Sequence, residues 1–234
     1  PVRAKAEGRA PSGTDAATAA LFPNGFEESE LGEIPRGWRA GTLGDVSDAP
    51  RRLVDPGEMD GGVAYIGLEH MPRRSISLSE WETANTVTSQ KARFEAGEIL
   101  FGKLRPYFHK VGVAPLAGVC STDIIVAVPK SPEMFALVLG HLSSDELIKY
   151  SDQCSTGTKM PRVSWADLAR YAVVLPPASV AAACTAVVQP LVQRMVAAIH
   201  ESKALAATRD ALLPRLLSGE LRVRDAGQIV EHAV

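Results

Sequence analysis

Two short stretches concentrate the side chains that could meet a polyanion. The first carries Lys103, Arg105, His109 and Lys110, with no acid before Asp123. An acid-free run of cations neutralises phosphates and releases their counterions. Lysine and arginine also match the O6 and N7 acceptors of guanine in a major groove. The second stretch is Thr156-Gly157-Thr158-Lys159-Met160-Pro161-Arg162. Gly157 permits close backbone approach to a ligand. Thr156 and Thr158 offer hydroxyls, and Lys159 and Arg162 offer charge, to phosphate oxygens. We expect the two stretches to share one surface that faces the polyanion. A solvated loop and an ordinary turn before a helix are the plain alternatives. Tyr107 and Phe108 interleave with the first run; they could pack on sugar or bases, but a core role is the first reading, and Trp38, Trp81 and Trp165 read as core anchors rather than base-stacking platforms. Arg51-Arg52 and Arg73-Arg74 have acids nearby (Asp48, Asp55, Glu69, Glu80) and read as solvated faces.

Catalytic patterns are missing. There is no Walker A loop and no HExxH. Pro176-Pro177 follows Leu175, where a methyltransferase would carry Asn or Asp for a target base. The five histidines (His70, His109, His141, His200, His232) have no metal-ligand spacing, and Cys120, Cys154 and Cys184 form no CxxC pair. No cofactor and no metal are implied. Widely spaced cysteines fit reduced thiols, hence a cytoplasmic protein. Apolar runs fall far short of the ~20 residues of a membrane helix, so no membrane is expected. The first residues are small and charged, unlike a secretory signal. The chain begins at Pro1 rather than Met, which points to a piece of a longer protein.

Those side chains need a scaffold. With 234 residues, 46% of them hydrophobic, the chain can build a core of one ordinary domain plus an appendage. Its net charge of −2 counts against a simple basic DNA binder, so any such role rests on local charge. Residues 1–30 read as a weakly structured leader, with a short helix at 15–21 capped by Asp15. The segment 26–30 is acidic and exposed by composition. Residues 31–177 show β-like runs at 63–66, 98–101, 111–114 and 124–128. Two helical stretches lie at 134–143, with a continuation through 145–150, and at 164–170, where Ser164 and Asp167 form a capping pattern. Strands mixed with a few helices, without βαβ alternation, indicate an α+β domain.

Residues 178–220 read as a short helix and then a long one, with Pro190 in its first turn and Pro214 and Gly219 closing it. Leu191, Met195, Ala198, Ser202, Leu205, Arg209 and Leu212 step by four and three, a heptad seam of roughly 33 Å weakened by Ser202 and Arg209. Such a lone stripe needs a partner. Residues 221–234 read as a flexible tail.

Four stretches in order resemble the specificity (S) subunit, HsdS, of type I restriction-modification systems. They are Leu31-Gly32-Glu33-Ile34-Pro35-Arg36-Gly37-Trp38, then Gly97-Glu98-Ile99-Leu100-Phe101-Gly102-Lys103-Leu104-Arg105-Pro106. The third is Ser155-Thr156-Gly157-Thr158-Lys159-Met160-Pro161-Arg162-Val163-Ser164 with Leu168 and Val174-Leu175-Pro176-Pro177. The fourth is Leu212-Leu213-Pro214-Arg215-Leu216-Leu217-Ser218-Gly219-Glu220-Leu221. The resemblance spans residues 26–223. Ala178-Ser179-Val180 departs from the acidic pair that starts the helix in many relatives.

The resemblance implies a mixed-strand target-recognition domain (31–177) followed by a coiled-coil-type spacer helix (178–220). It corresponds to the C-terminal half of a subunit, or to a half-subunit that homodimerises through the helix. The implied role is non-catalytic. The domain reads one half of a split site in double-stranded DNA, and methyltransferase (M) and restriction (R) subunits are partners. A standalone nuclease or methyltransferase, and an adaptor that has lost DNA binding, are the competing readings.

Overall fold

The computed structural model describes residues 1–59 and 62–220; the expected tail, 221–234, lies outside them. Contacts divide the chain into two units, Pro1–Val192 and the part from Gln193 onward. The first unit is α+β.

Its elements begin with α1 (Val2–Ala6), α2 (Ala16–Ala20), β1 (Phe26–Ser29), β2 (Gly32–Pro35), β3 (Arg39–Thr42), α3 (Leu43–Val46), β4 (Ser47–Asp48), β5 (Leu53–Val54) and β6 (Ala64–Ile66). They continue with β7 (Glu82–Thr83), β8 (Lys91–Phe94), β9 (Ile99–Gly102), β10 (Val111–Val113), β11 (Gly118–Cys120), β12 (Ile124–Pro129), α4 (Phe135–Leu142), α5 (Asp145–Gln153), α6 (Trp165–Ala169) and β13 (Ala172–Leu175). A last helix, α7, runs Ala178–Leu217.

Two sheets carry the core. One has the order β10-β9-β12-β4, antiparallel throughout; the other, β5-β8-β11-β6-β7, contains the parallel pair β11–β6. Ile99, Leu100 and Phe101 of β9 are all fully buried. A strand covered on both faces reads as a continuous apolar run rather than an alternating one. Ile66, Phe94, Leu100, Cys120, Ile124 and Val126, drawn from both sheets, join one cluster that Met71 and Leu78 complete. At Gly118 the β11 backbone comes so close to β6 that a Cβ would lie 2.5 Å from the Ala64 carbonyl.

Local signals act as the sequence indicates. Asp15 accepts the Thr18 N–H at 2.9 Å and starts α2. Ser164 and Asp167 exchange hydrogen bonds at the start of α6. The expected continuation of 134–143 into 145–150 is instead a break: Ser144 accepts the Leu147 N–H and starts α5 as a separate helix.

The leader differs from expectation. α1 and α2 are tied together because Lys5 Nζ donates to the carbonyls of Ala19 and Phe22. Phe22 meets Trp38 at 6.4 Å between ring centroids. Residues 26–29 form β1, paired with β2.

α7 also corrects three expectations. No break occurs at Pro190: the helix is continuous from 178 to 217. Proline removes one N–H and so one helical bond, but the turns before it are held elsewhere. Val180, Ala181 and Thr185 are buried. Pro214 lies inside the last turns, and Gly219 (φ 75°) ends the helix by donating its N–H to the Leu216 carbonyl. By length and composition α7 is long and apolar enough to cross a membrane, contrary to the reading from unbroken apolar runs. The helix period gathers its Ala, Val and Leu across the intervening Thr and Gln.

Thr185 anchors the first turns. Its hydroxyl donates to the Glu133 carbonyl at 2.7 Å and accepts the Ala136 N–H at 3.1 Å. The residue before α4, Met134, has no side-chain cap, so α7 supplies one. Thr185→Val leaves a buried N–H and carbonyl unmet and should lower stability by about 1–3 kcal/mol. Urea unfolding followed by circular dichroism reads this as a lower midpoint at constant slope; an unmoved midpoint would show that α4 is capped another way.

Candidate nucleic-acid interface

The two cationic stretches meet through their backbones. The Arg105 N–H donates to the Pro161 carbonyl at 2.7 Å, and the Val163 N–H to the Lys103 carbonyl at 3.1 Å. Leu104 and Arg162 form an antiparallel bridge. The second stretch is itself a hairpin, closed by reciprocal Thr156–Arg162 bonds of 2.9 Å. Gly157 turns it at φ 98°, where a Cβ would stand 3.3 Å from the Met160 carbonyl. Both stretches therefore occupy one surface of the first unit.

The individual side chains divide into two groups. Lys103 and Lys159 make no side-chain hydrogen bond or ion pair among the described residues, and Lys159 is exposed. Arg105 is partly held: its guanidinium donates to the Lys159 carbonyl at 3.3 Å. Thr156 and Thr158 are exposed. Lys103 also lines a cleft of about 360 Å³ with Arg51, Gln90, Thr122, Ser164 and Trp165.

Three sequence candidates are engaged by the protein. Arg162 forks onto Asp123 at 2.8 and 3.2 Å, which neutralises it. Lys110 donates to the Leu68 carbonyl, and burial with Arg73 nearby pushes its ammonium pKa down. His109 is buried, its Nε2 meeting the Ser143 carbonyl at 2.9 Å and its Nδ1 lying 3.4 Å from Asp145. The left-handed backbone at His109 (φ 51°) accompanies this inward placement, so His109 supports the loop instead of facing solvent.

Other residues, which the sequence assigns first to the core or to a solvated face, join the surface. Tyr107, read as core, is 48% exposed. It meets Phe108 edge-on at 4.8 Å, and Arg73 stacks on Phe108 at 4.0 Å. Arg74 pairs with Asp145 at 3.0 Å, and its N–H donates to the His109 carbonyl at 2.9 Å. The Arg73-Arg74 pair is thus part of the loop's support, although some thirty residues separate them in sequence. Trp165 is half-buried along the cleft, and Trp81 packs against the core cluster.

On α7, Leu191 and Leu205 of the expected seam are 65% and 64% exposed; Ala198 is exposed, and Met195 and Leu212 are half-buried. Val192 and Ile199, which the seam omits, are buried. All three cysteines are free thiols. Among the described residues no group of three His, Cys, Asp or Glu could hold a metal ion.

No protein-family model matches the chain. The chain is 26% identical over 154 residues to the Type I restriction enzyme EcoDI specificity subunit of Escherichia coli, covering 65% of this chain and 34% of that one. It is 24% identical over 206 residues to the MjaIX specificity subunit of Methanocaldococcus jannaschii, covering 82% of this chain and 46% of that one. The HsdS subunit from Thermoanaerobacter tengcongensis has a similar fold, with a TM-score of 0.54 at 21% identity, covering 82% of this chain and 50% of that one. So does a chain from a structural study of complex assembly and conformational transition of the type I R-M system, with a TM-score of 0.51 at 22% identity, covering 79% of this chain and 49% of that one. The chain spans a third to a half of the length of these relatives.

Asp145 emerges as the fastener of the 105–109 loop. Asp145→Ala removes the partner of Arg74 and His109 and an acid from the first turn of α5. It should cost about 1 kcal/mol of stability and speed amide hydrogen exchange within 105–110 more than elsewhere. Unchanged exchange there would mean that the backbone bonds alone fix the loop.

Proposed function

We propose that this chain, a relative of the type I restriction-modification specificity subunits, is a non-catalytic module that binds double-stranded DNA sequence-specifically. Residues 31–177 act as a target-recognition domain that reads one half of a split site. Residues 178–220 act as the spacer that sets the distance to the other half, and the module docks methyltransferase subunits and, through them, the restriction subunit. The observation that carries this reading is the joining of the 103–110 and 156–162 stretches into one surface, on which Lys103 and Lys159 have no side-chain partner among the described residues. Unpaired lysines on a rigid surface suit phosphate contact, and half or more of protein–DNA hydrogen bonds go to the backbone.

The exposed Leu191 and Leu205 on α7 favour a helix as the partner of the spacer. That helix belongs either to the other half of a full subunit or to a second copy of this chain. Two copies paired in this way would present two identical recognition domains and select a two-fold symmetric split site.

Lys103→Glu and Lys159→Glu test the DNA reading. Each should weaken binding about equally on all duplexes and reduce the slope of log affinity against log salt by about 1–2, because a lost phosphate contact and an added repulsion both lessen counterion release. Filter binding over a salt series, with the co-purified methyltransferase subunit present, gives the slope. Wild-type affinity and slope in both variants would place the DNA elsewhere on the molecule.

A further inference from the structure

Three non-glycine residues among those described have left-handed backbone: Arg74, Arg105 and His109, at φ 55°, 50° and 51°. All three belong to one loop assembly. Arg105 and His109 bracket the tight turn Pro106–Phe108, and Arg74 is bonded to the His109 carbonyl. Such a conformation is unfavourable for L-residues with side chains and persists only where surrounding contacts over-determine it. Those contacts are present: Asp145 on Arg74 and His109, the Ser143 carbonyl on His109, the Pro161 and Lys159 carbonyls on Arg105, and Arg73 on the Phe108 ring.

The strained loop presents Tyr107, 48% exposed and backed by the edge-on ring of Phe108. A second large apolar side chain, Met160 at 46% exposed, is carried by the hairpin whose Lys159 and Pro161 carbonyls hold Arg105. A lone exposed apolar side chain is ordinary. Two on rigid, mutually bonded loops, in the company of Lys103, Arg105 and Lys159, form a pattern with a use. Phosphates draw in the cations, and apolar tips on a stiff loop can meet the face of a base that has lost a stacking neighbour.

We propose that Tyr107 and Met160 form a wedge that enters the duplex at one base step, partly unstacks it and kinks the DNA on the recognition surface. The proposal rests on the DNA-binding reading above and adds a way to read sequence without hydrogen bonds to base edges. Apolar wedges unstack base steps when the loop behind them is stiff. Pyrimidine–purine steps open most easily, so the half-site selected should contain one where the wedge enters. Tyr107 and Met160 thereby become specificity-determining residues; Arg73, Phe108 and Asp145 position Tyr107, and the Thr156–Arg162 bonds position Met160.

The test uses the full chain with its methyltransferase subunit and a duplex selected from a randomised pool, with 2-aminopurine placed at successive positions. Unstacking raises the fluorescence of this base. The expected result is a several-fold rise confined to one step, lost for the most part in Tyr107→Ala and Met160→Ala and kept in Tyr107→Phe. Both alanine variants should retain the wild-type salt slope, since neither removes a charge. They alter exposed side chains, and an unchanged thermal midpoint verifies their folding. Tight binding by the wild type with no rise at any position overturns the wedge and leaves the DNA-binding reading intact. A full rise in both alanine variants also overturns it. Failure to retain any duplex overturns both.

Discussion

The candidate surface depends on a short run of backbone hydrogen bonds around Lys103 and Arg105. The Lys103 N–H reaches the Asp123 carbonyl at 2.9 Å, its carbonyl receives Val163, and the Arg105 N–H reaches Pro161. Through these bonds the end of β9, the start of β12 and the hairpin before α6 become one assembly. Backbone groups carry no charge to screen and no rotamers to lose, so this joint is stiffer than any contact between the long cationic side chains it supports. Without it the two cationic stretches would be independent loops.

The electrostatics follow from that joint. The chain as a whole carries a formal charge of −2, yet its acids are placed where they act locally. Asp123 neutralises Arg162, and Asp145 holds Arg74 beside His109. Pairing of this kind fixes shape at modest energetic return, since exposed ion pairs contribute little. Lys103 and Lys159, without an acidic partner among the described residues, set the character of the surface. A net charge near zero is therefore compatible with a locally cationic face, because screening confines each charge to about 8–10 Å.

Much of the architecture was legible because it is encoded locally. Caps at Asp15 and Ser164 and the apolar runs of β9 and β12 each depend on neighbours within a few residues. The two-residue strands β4, β5 and β7 left no periodic signal, being too short to show one. β3 and β13 pair across some 130 residues, and nothing in either segment alone names its partner. The continuity of α7 through Pro190 was missed for a related reason: a proline weakens a helix locally, but burial of Val180, Ala181 and Thr185 holds the preceding turns.

The sequence by itself determined the longer helices and the most apolar strands, the α+β class, the helical tail, and the two stretches rich in cations and hydroxyls. Composition, spacing and capping are properties of adjacent residues, so they survive without a fold. Only the tertiary structure decided which cations are free. His109, Lys110 and Arg162 look equivalent to Lys103 and Lys159 in sequence. They differ because Ser143, Leu68 and Asp123, distant along the chain, lie within hydrogen-bonding reach of the first three. Tyr107 likewise is a surface residue in a tight turn bracketed by left-handed Arg105 and His109, which the Pro161 carbonyl and Asp145 hold. Burial and pairing are set by contacts across the chain, and those no spacing rule records.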